Sequence, residues 1–161
     1  MTVDVKTYRE AMSRLGAAVN IITTRDATGR HGLTASAVCS VTDAPPTLLV
    51  CINRTARARD SFVVGGPICI NTLALVQKDI SVAFSGKMEM EERFTSGSWI
   101  VGTTGAPVLE QSLVASDCLI SQIVEVGTHS VIFCSVQDIR LGDPSEALVY
   151  FNRAYHGLPH L

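Results

Sequence analysis

Short segments with a period of two dominate the chain: apolar and β-branched residues alternate with polar ones, which is typical of strands with one buried face. Turn residues separate these segments, which lie at 17–23, 32–44, 47–52, 68–73, 115–126, 129–141 and 148–151. Helical spacing occurs at 8–15, which Gly16 ends, and at 75–84. The pattern predicts a mainly β fold, a closed or partly open antiparallel barrel, with two covering helices.

The remaining segments are less regular. Residues 95–107 are rich in Gly, Ser and Thr and contain Trp99, so we predict a loop with an aromatic anchor. Asp60 or Ser61 is placed to cap a single helical turn. The proline pair Pro45-Pro46 is expected to stop the strand before it, because neither residue has a backbone N–H for a ladder.

Polar groups are concentrated between Gly32 and Asn53. Four hydroxyl side chains fall within nine positions there: Thr34, Ser36, Ser40 and Thr42. Apolar residues interleave with them, so one face can pack while the other presents donors and acceptors. A second, almost wholly apolar strand ends on polar Asn53. Two strands that meet at a polar end indicate a ligand cradle, although a plain hairpin with a Ser/Thr-rich solvent face explains the same pattern.

Composition adds expectations about assembly and location. The 161 residues fit one domain, 1–161, and only 17% of them are charged, which predicts that some surface is covered by a second copy in a homodimer. No apolar run approaches the roughly 18 residues of a membrane span. The N-terminal segment 4–10 carries four charged residues where a signal peptide needs an apolar core. We therefore expect a cytoplasmic protein that does not bind a membrane.

Charge and cysteine usage exclude several classes. With a net charge of −2 and no large cluster of basic residues, the chain lacks the positively charged surface that binds nucleic acid. The three arginines Arg54, Arg57 and Arg59 instead require a smaller anion. The five cysteines lack C-x-x-C spacing and lie in apolar runs, as buried thiols in a reducing compartment do. The four histidines never fall at metal-ligand spacing with them, so no metal site is expected.

Common catalytic motifs are missing. The sequence contains no G-x-G, so it has neither a dinucleotide turn nor a Walker A loop, and it contains no G-x-S-x-G elbow for hydrolysis. His129 follows the tight turn Gly127-Thr128, which puts an imidazole at a barrel rim. A lone histidine there is commonly a surface or capping residue. The aromatic segment 150–156 is either core or a surface that stacks on a flat ring.

Five separated segments resemble one known family in the same order and over nearly the whole chain. They are GLTASAVCSVTDAPPTLLVCIN, EERF, GAPVL, VGTHSVIF and LVYFNRAYH. The sequence resembles the short-chain flavin reductases of two-component monooxygenases, most closely those of 4-hydroxyphenylacetate and chlorophenol-type systems. The resemblance implies a split β-barrel homodimer that uses NADH to reduce FAD or FMN. Reduced flavin would then reach a separate oxygenase that acts on an aromatic compound.

The same resemblance implies roles for individual residues. The flavin would be lined by Leu33, Thr34, Ala35, Ser36, Ser40, Val41, Cys51, Ile52, Asn53, Phe84, Ser85, Gly86 and Arg93. His129 would contact the nicotinamide, as the catalytic-site residue that positions it, and Tyr155 would close over it. Many relatives have a Ser-x-Thr pair in the phosphate loop where this chain has Ala56 and Ala58.

The altered phosphate loop leads to a hypothesis about the flavin. Thr55 and the arginines Arg54, Arg57 and Arg59 would substitute for the missing hydroxyls, and an arginine fork suits a diphosphate, which favours FAD over FMN. Two other classes remain open. A flavin-binding electron carrier on the same barrel would bind its flavin tightly and not oxidise NADH, and a small-ligand binding barrel would bind no flavin. The histidine turn and Tyr155 favour the enzyme.

Overall fold

The computed structural model describes residues 2–160. Within this range the strands are β1 Ala17–Ala18, β2 Asn20–Asp26, β3 Gly29–Ala35, β4 Val38–Asp43, β5 Pro46–Asn53, β6 Pro67–Thr72, β7 Trp99–Val101, β8 Pro107–Leu109, β9 Val114–Val126, β10 His129–Leu141, β11 Ala147–Phe151 and β12 Ala154–Leu158. The helices are α1 Val5–Ser13, α2 Lys78–Ser85 and α3 Met90–Arg93, with 3-10 turns at Arg59–Ser61 and Leu75–Gln77.

Seven strands form one antiparallel sheet in the order β3-β2-β6-β9-β10-β5-β4. Its two edge strands, β3 and β4, follow each other in the sequence, and the Cys51 N–H in β5 donates to the Ala37 carbonyl between them at 2.9 Å. A second sheet has the order β1-β11-β12, and β7 pairs with β8. The expected class, a mainly β split barrel with a few covering helices, is confirmed.

Two apolar clusters fill the interior. The first lies inside the large sheet and includes Ile22, Val50, Ile52, Phe62, Ile70, Ile120 and Ile132. The second lies beneath α2 and includes Val19, Ile21, Leu73, Phe84, Phe94, Leu109 and Leu148. Adjacent β2 residues Ile21 and Ile22 enter different clusters because successive side chains point to opposite faces. The alternating pattern of the sequence therefore separates the two cores.

The aromatic residue Trp99 anchors its segment as expected. Its ring lies 5.3 Å from the Phe84 ring and 5.0 Å from the Phe94 ring, measured between centroids. The prediction that 95–107 is entirely a loop is wrong, because β7 lies inside it and pairs with β8. Strands of three residues are too short to show a period of two.

Three other expectations need correction. Strand β12 was not predicted, because Asn152 and Arg153 turn the chain with positive φ values of 49° and 61° and no glycine marks the turn. Pro46 begins β5 instead of only ending the strand before it. Helix α1 buries none of its residues, so it does not cover a barrel end in the single chain. Among residues 2–160, no helix has the length and apolar character needed to cross a bilayer.

Candidate functional site

A cavity of about 470 Å³ opens along the free edge of β3. Its volume lies within the range of about 300–1,000 Å³ usual for cofactor sites. It is lined by Gly32, Leu33, Thr34, Ala35, Ser36, Ala37, Cys51, Ile52, Asn53, Ala56, Arg57, Ala58, Phe84, Ser85, Gly86, Arg93 and His129. The predominance of small residues lets a planar ligand approach the backbone closely.

The backbone of β3 supplies polar groups to this cavity. The Gly32 N–H is directed at the Met90 sulfur (3.3 Å), and the Gly32 carbonyl accepts from Arg93 (3.3 Å), so both Gly32 groups point away from β2. Residues two apart on a strand direct their backbone groups the same way, so those of Thr34 also point to the free edge. An edge strand of this kind can hydrogen-bond the polar rim of a flat ring.

Arg93 forms one wall of the cavity. Its buried guanidinium donates to four carbonyl oxygens, those of Met88 (3.1 Å), Gly32 (3.3 Å), Phe84 (2.8 Å) and Gly86 (2.9 Å). Desolvation and the nearby charge of Arg57 lower the pKa of Arg93. The side chain thus links β3, the end of α2 and the start of α3 around the cavity.

The loop after β5 is an Asx turn. The Asn53 side-chain oxygen accepts from the Thr55 N–H and hydroxyl, both at 2.9 Å. Arg59 donates to the Ser130 hydroxyl (2.5 Å), the Phe62 carbonyl (3.2 Å) and Glu125 (2.6 Å). Hydrogen bonds from Ser130 and Arg59 lower the pKa of Glu125. This network holds the loop against the β9–β10 hairpin.

The three arginines proposed to hold a diphosphate each face a glutamate in the structure. Arg54 and Arg59 pair with Glu125 at 3.3 Å and 2.6 Å, and Arg57 pairs with Glu89 at 3.0 Å. The reason is local: glutamates from β9 and from the segment before α3 approach each guanidinium, and sequence spacing does not reveal them.

His129 begins β10 beside this loop, and it pairs in register with Asn53. Its ring nitrogen Nδ1 lies 2.9 Å from the Thr128 hydroxyl. The exposed imidazole borders the cavity beside β3 and also a wider cleft of about 720 Å³, which includes Arg9, Arg54, Thr55, Arg59 and Glu125. His129 therefore lies where the two spaces join.

A third space of about 370 Å³ adjoins the first cavity at the C-terminal end of β3. It is lined by Val19, Thr34, Ala35, Ser36, Ser85, Tyr150, Arg153 and Tyr155. Four of these residues, 34–36 and Ser85, also line the first cavity. The Tyr150 and Tyr155 rings meet edge to face at 5.3 Å and form its aromatic side. Two adjoining spaces that share one strand can accommodate two planar groups in contact.

Comparison with known proteins places this arrangement in a family. The model of the flavin reductase like domain matches residues 12–159. The chain belongs to the flavin reductase-like family.

Two curated relatives and two solved structures support this membership. FMN reductase (NADH) RutF of Pseudomonas syringae pv. syringae B728a is 57% identical over 94% of this chain and 85% of its own length. The RutF of Escherichia coli K12 is 53% identical over 97% and 95%. A Haemophilus somnus 129PT crystal structure has 48% identity and a TM-score of 0.93, covering 97% of this chain and 100% of its own. BorF, the flavin reductase component of a bacterial two-component tryptophan halogenase, has 26% identity and a TM-score of 0.89, with 97% and 99% covered.

The expectation that this flavin reductase-like chain is an enzyme, a flavin reductase, is confirmed. Burial raises the pKa of Cys51, which borders the first cavity, and that of Cys134 to about 12, so both remain thiols at neutral pH. Among residues 2–160, no group of three or more His, Cys, Asp or Glu side chains could hold a metal ion.

The structure gathers most of the predicted site residues of this flavin reductase-like domain. The first cavity includes Leu33, Thr34, Ala35, Ser36, Cys51, Ile52, Asn53, Phe84, Ser85, Gly86, Arg93 and His129. Arg54, Thr55 and Arg59 line the wider cleft, and Tyr155 lines the third space. Ser40 and Val41 lie on exposed β4, outside these spaces. The sequence analysis assigned no ligand contact to Gly32, Ala37, Ala56 or Ala58. Their small size between polar neighbours was the signal that could have identified them.

Proposed function

We propose that this protein reduces free FMN with NADH. The observation that carries the proposal is the pair of adjoining spaces along β3, which share residues 34–36 and Ser85. The names of the curated relatives, FMN reductase (NADH), at 53–57% identity support the same cofactors. One space would receive the flavin ring and the other the nicotinamide, so that the two rings meet where the spaces share these residues.

The flavin and the nicotinamide supply the hydride chemistry when they are bound, so the chain must bind, orient and shield two rings. Backbone donors at Thr34 would hold the polar rim of the flavin, and Ala35 leaves room for a close approach. Donors aimed at the ring also stabilise negative charge that develops there. The Tyr150–Tyr155 pair would cover the second ring.

The phosphate loop supports FMN as the preferred flavin. The earlier hypothesis of FAD depended on arginines free to grip a diphosphate, whereas Arg54, Arg57 and Arg59 are each paired with a glutamate. A single phosphate could be held by the backbone N–H groups of Arg57 and Ala58, which border the first cavity, without a free arginine side chain. FAD remains a substrate to be compared directly.

Reduced flavin would be released to a separate oxygenase. The family resemblance and the two-component system of BorF support this role. The cavity is open along β3, which suits a flavin that enters and leaves. An oxygenase acting on aromatic compounds and a cytoplasmic location stay predictions from the sequence. The alternative is an electron carrier that holds its flavin tightly. Unlike a reductase, it would not oxidise NADH when flavin is added.

The deciding experiment is the loss of NADH absorbance by purified protein with FMN, FAD or no flavin added. We expect turnover that depends on added flavin and a lower KM for FMN than for FAD. Flavin that copurifies without any NADH oxidation would support the carrier instead. Equal or better turnover with FAD would contradict the FMN preference only.

His129→Ala should chiefly raise the KM for NADH, by roughly the 2- to 10-fold that one hydrogen bond is worth. This expectation follows from the family resemblance, which assigns the nicotinamide contact to His129. In the structure the imidazole borders the first cavity and the wider cleft, and its Nδ1 lies beside the neutral Thr128 hydroxyl, which suits a positioning role. Steady-state kinetics at saturating FMN measure the change. Complete loss of kcat with unchanged NADH binding would show that the imidazole takes part in the chemistry.

We further propose a homodimer. Exposed apolar side chains occur along β4, β9 and β10: Val41, Leu119, Val124, Val126, Ile139 and Leu141. Together with the low share of charged residues, they favour a surface that a second copy covers. A second copy would cover them and could bring Ser40 and Val41 towards a site. Sedimentation equilibrium should give twice the 17.2 kDa chain mass, and a monomer at micromolar concentration would contradict the proposal.

A further inference from the structure

Ser81 joins the walls of the two ring spaces, although it lines neither of them. It lies fully buried in the middle of α2. Its hydroxyl is 2.7 Å from the Tyr155 hydroxyl in β12. Its backbone carbonyl accepts the hydroxyl proton of Thr34 in β3, also at 2.7 Å. One helical residue thus contacts both the strand shared by the two spaces and the tyrosine that closes the second one.

The direction of this hydroxyl is informative. A serine inside a helix commonly donates to a carbonyl of the preceding turn, as Ser85 of the same helix does to Val82 at 3.1 Å. Ser81 instead makes its contact with a different element. Leaving a buried hydroxyl or phenol without a partner costs free energy, so each of these two groups holds the other in place.

Tyr155 needs such support because it belongs to a different sheet from Thr34. Thr34 lies in the seven-stranded sheet, and Tyr155 lies in the β1-β11-β12 sheet. Backbone hydrogen bonds join the two sheets at Val19 and Leu148 (3.0 Å), in the second apolar cluster. At the cavity, the contact through Ser81 spans the two sheets. The Tyr155 ring also packs against the second apolar cluster and against Tyr150, and the Lys78 ammonium lies 5.6 Å from its centroid.

We propose that Ser81 is a positioning residue for NADH, which sets the width of the second space by holding Tyr155 at a fixed distance from Thr34. This inference rests on the proposed function. Without the Ser81 hydroxyl, the phenol would turn towards solvent to recover a hydrogen bond, and the second ring would lose its aromatic cover. The flavin space keeps its own walls, so the effect should fall on NADH.

The test compares Ser81→Ala, Tyr155→Phe and the double variant, which remove the same hydrogen bond from either side or from both. We expect each single variant to raise the KM for NADH roughly 3- to 10-fold, the range for one lost hydrogen bond, with kcat within about twofold. The double variant should match the single variants, because the bond can be lost only once. Thr95→Ala is the matched control, since its exposed hydroxyl donates to the Glu92 carbonyl and lines none of these spaces.

Two binding measurements accompany the kinetics. Calorimetric titration with NAD⁺ should show the same 3- to 10-fold weakening, and FMN fluorescence quenching should show an unchanged flavin Kd. Additive effects of the two substitutions, an unchanged KM and NAD⁺ affinity, or equal weakening of FMN and NAD⁺ would overturn the proposal. If Ser81→Ala does not fold, Tyr155→Phe alone decides by the same measurements.

The outcomes also separate this inference from the proposed function. If the wild-type protein neither oxidises NADH nor binds NAD⁺, both the proposed function and the role of Ser81 are contradicted. Wild-type turnover with variants that keep the wild-type KM removes only the role of Ser81.

Discussion

Gly32→Ala is expected to lower the free energy of unfolding by about 1–3 kcal/mol, the usual cost of overpacking, and to weaken FMN binding at least about tenfold. An added Cβ would lie 2.6 Å and 3.0 Å from two Phe84 ring carbons and 3.2 Å from the Ile22 carbonyl oxygen. Both distances to the ring are too short for carbon atoms in contact, so either Phe84 or β3 must move.

Phe84 has little room to retreat. Its ring is fully buried and lies 5.0 Å from Phe94, edge to face, and 5.3 Å from Trp99. Movement of β3 is the easier response, because it is an edge strand. That shift would displace the Thr34 backbone groups along the flavin space. Stability and flavin affinity should therefore fall together.

Urea unfolding and FMN fluorescence quenching measure the two effects. Gly16→Ala is the matched control, because its added Cβ would lie 3.9 Å from its nearest neighbours, an ordinary contact. Wild-type stability and flavin affinity in Gly32→Ala would show that the aromatic cluster can rearrange and that the close approach of Gly32 to Phe84 is not required.

Arg93→Met is expected to destabilise the protein by about 3–5 kcal/mol, because several hydrogen bonds from a charged donor, each worth about 1.5–3 kcal/mol, are lost at once. Its loss leaves the carbonyls of Gly32, Phe84 and Gly86 without the donors that now satisfy them. Those carbonyls belong to the cavity wall, so FMN binding should be lost as well.

Arg93→Lys separates charge from geometry. Lysine keeps the positive charge, but its single ammonium cannot reach carbonyls on β3, α2 and the segment before α3 at once. We expect it to recover less than half of the lost stability. Urea unfolding gives the comparison, with Arg14→Met as the control, since that exposed side chain makes only a surface pair with Glu10 at 3.3 Å. Full rescue by lysine would assign the effect to charge alone.

Much of the fold follows from local sequence patterns. The long strands β9 and β10 were predicted to within one residue, because the Gly127-Thr128 turn separates them and Gly142-Asp143-Pro144 follows the second. The hydroxyls and small residues that follow Gly32 left two interpretations open, a ligand cradle and a plain hairpin with a Ser/Thr-rich solvent face. The family resemblance then supplied the cofactor class.

The sequence by itself therefore determined the longer strands and the segment that borders the first cavity, but not the short strands β7, β8 and β12. The tertiary structure decided which distant groups meet: Ser81 with Tyr155, Arg93 with three segments of backbone, and Arg59 with Glu125. The physical reason is the distance along the chain over which each effect acts. Alternation and turn chemistry act between near neighbours in the chain, whereas these contacts join residues up to 74 positions apart and depend on how two sheets and a helix pack.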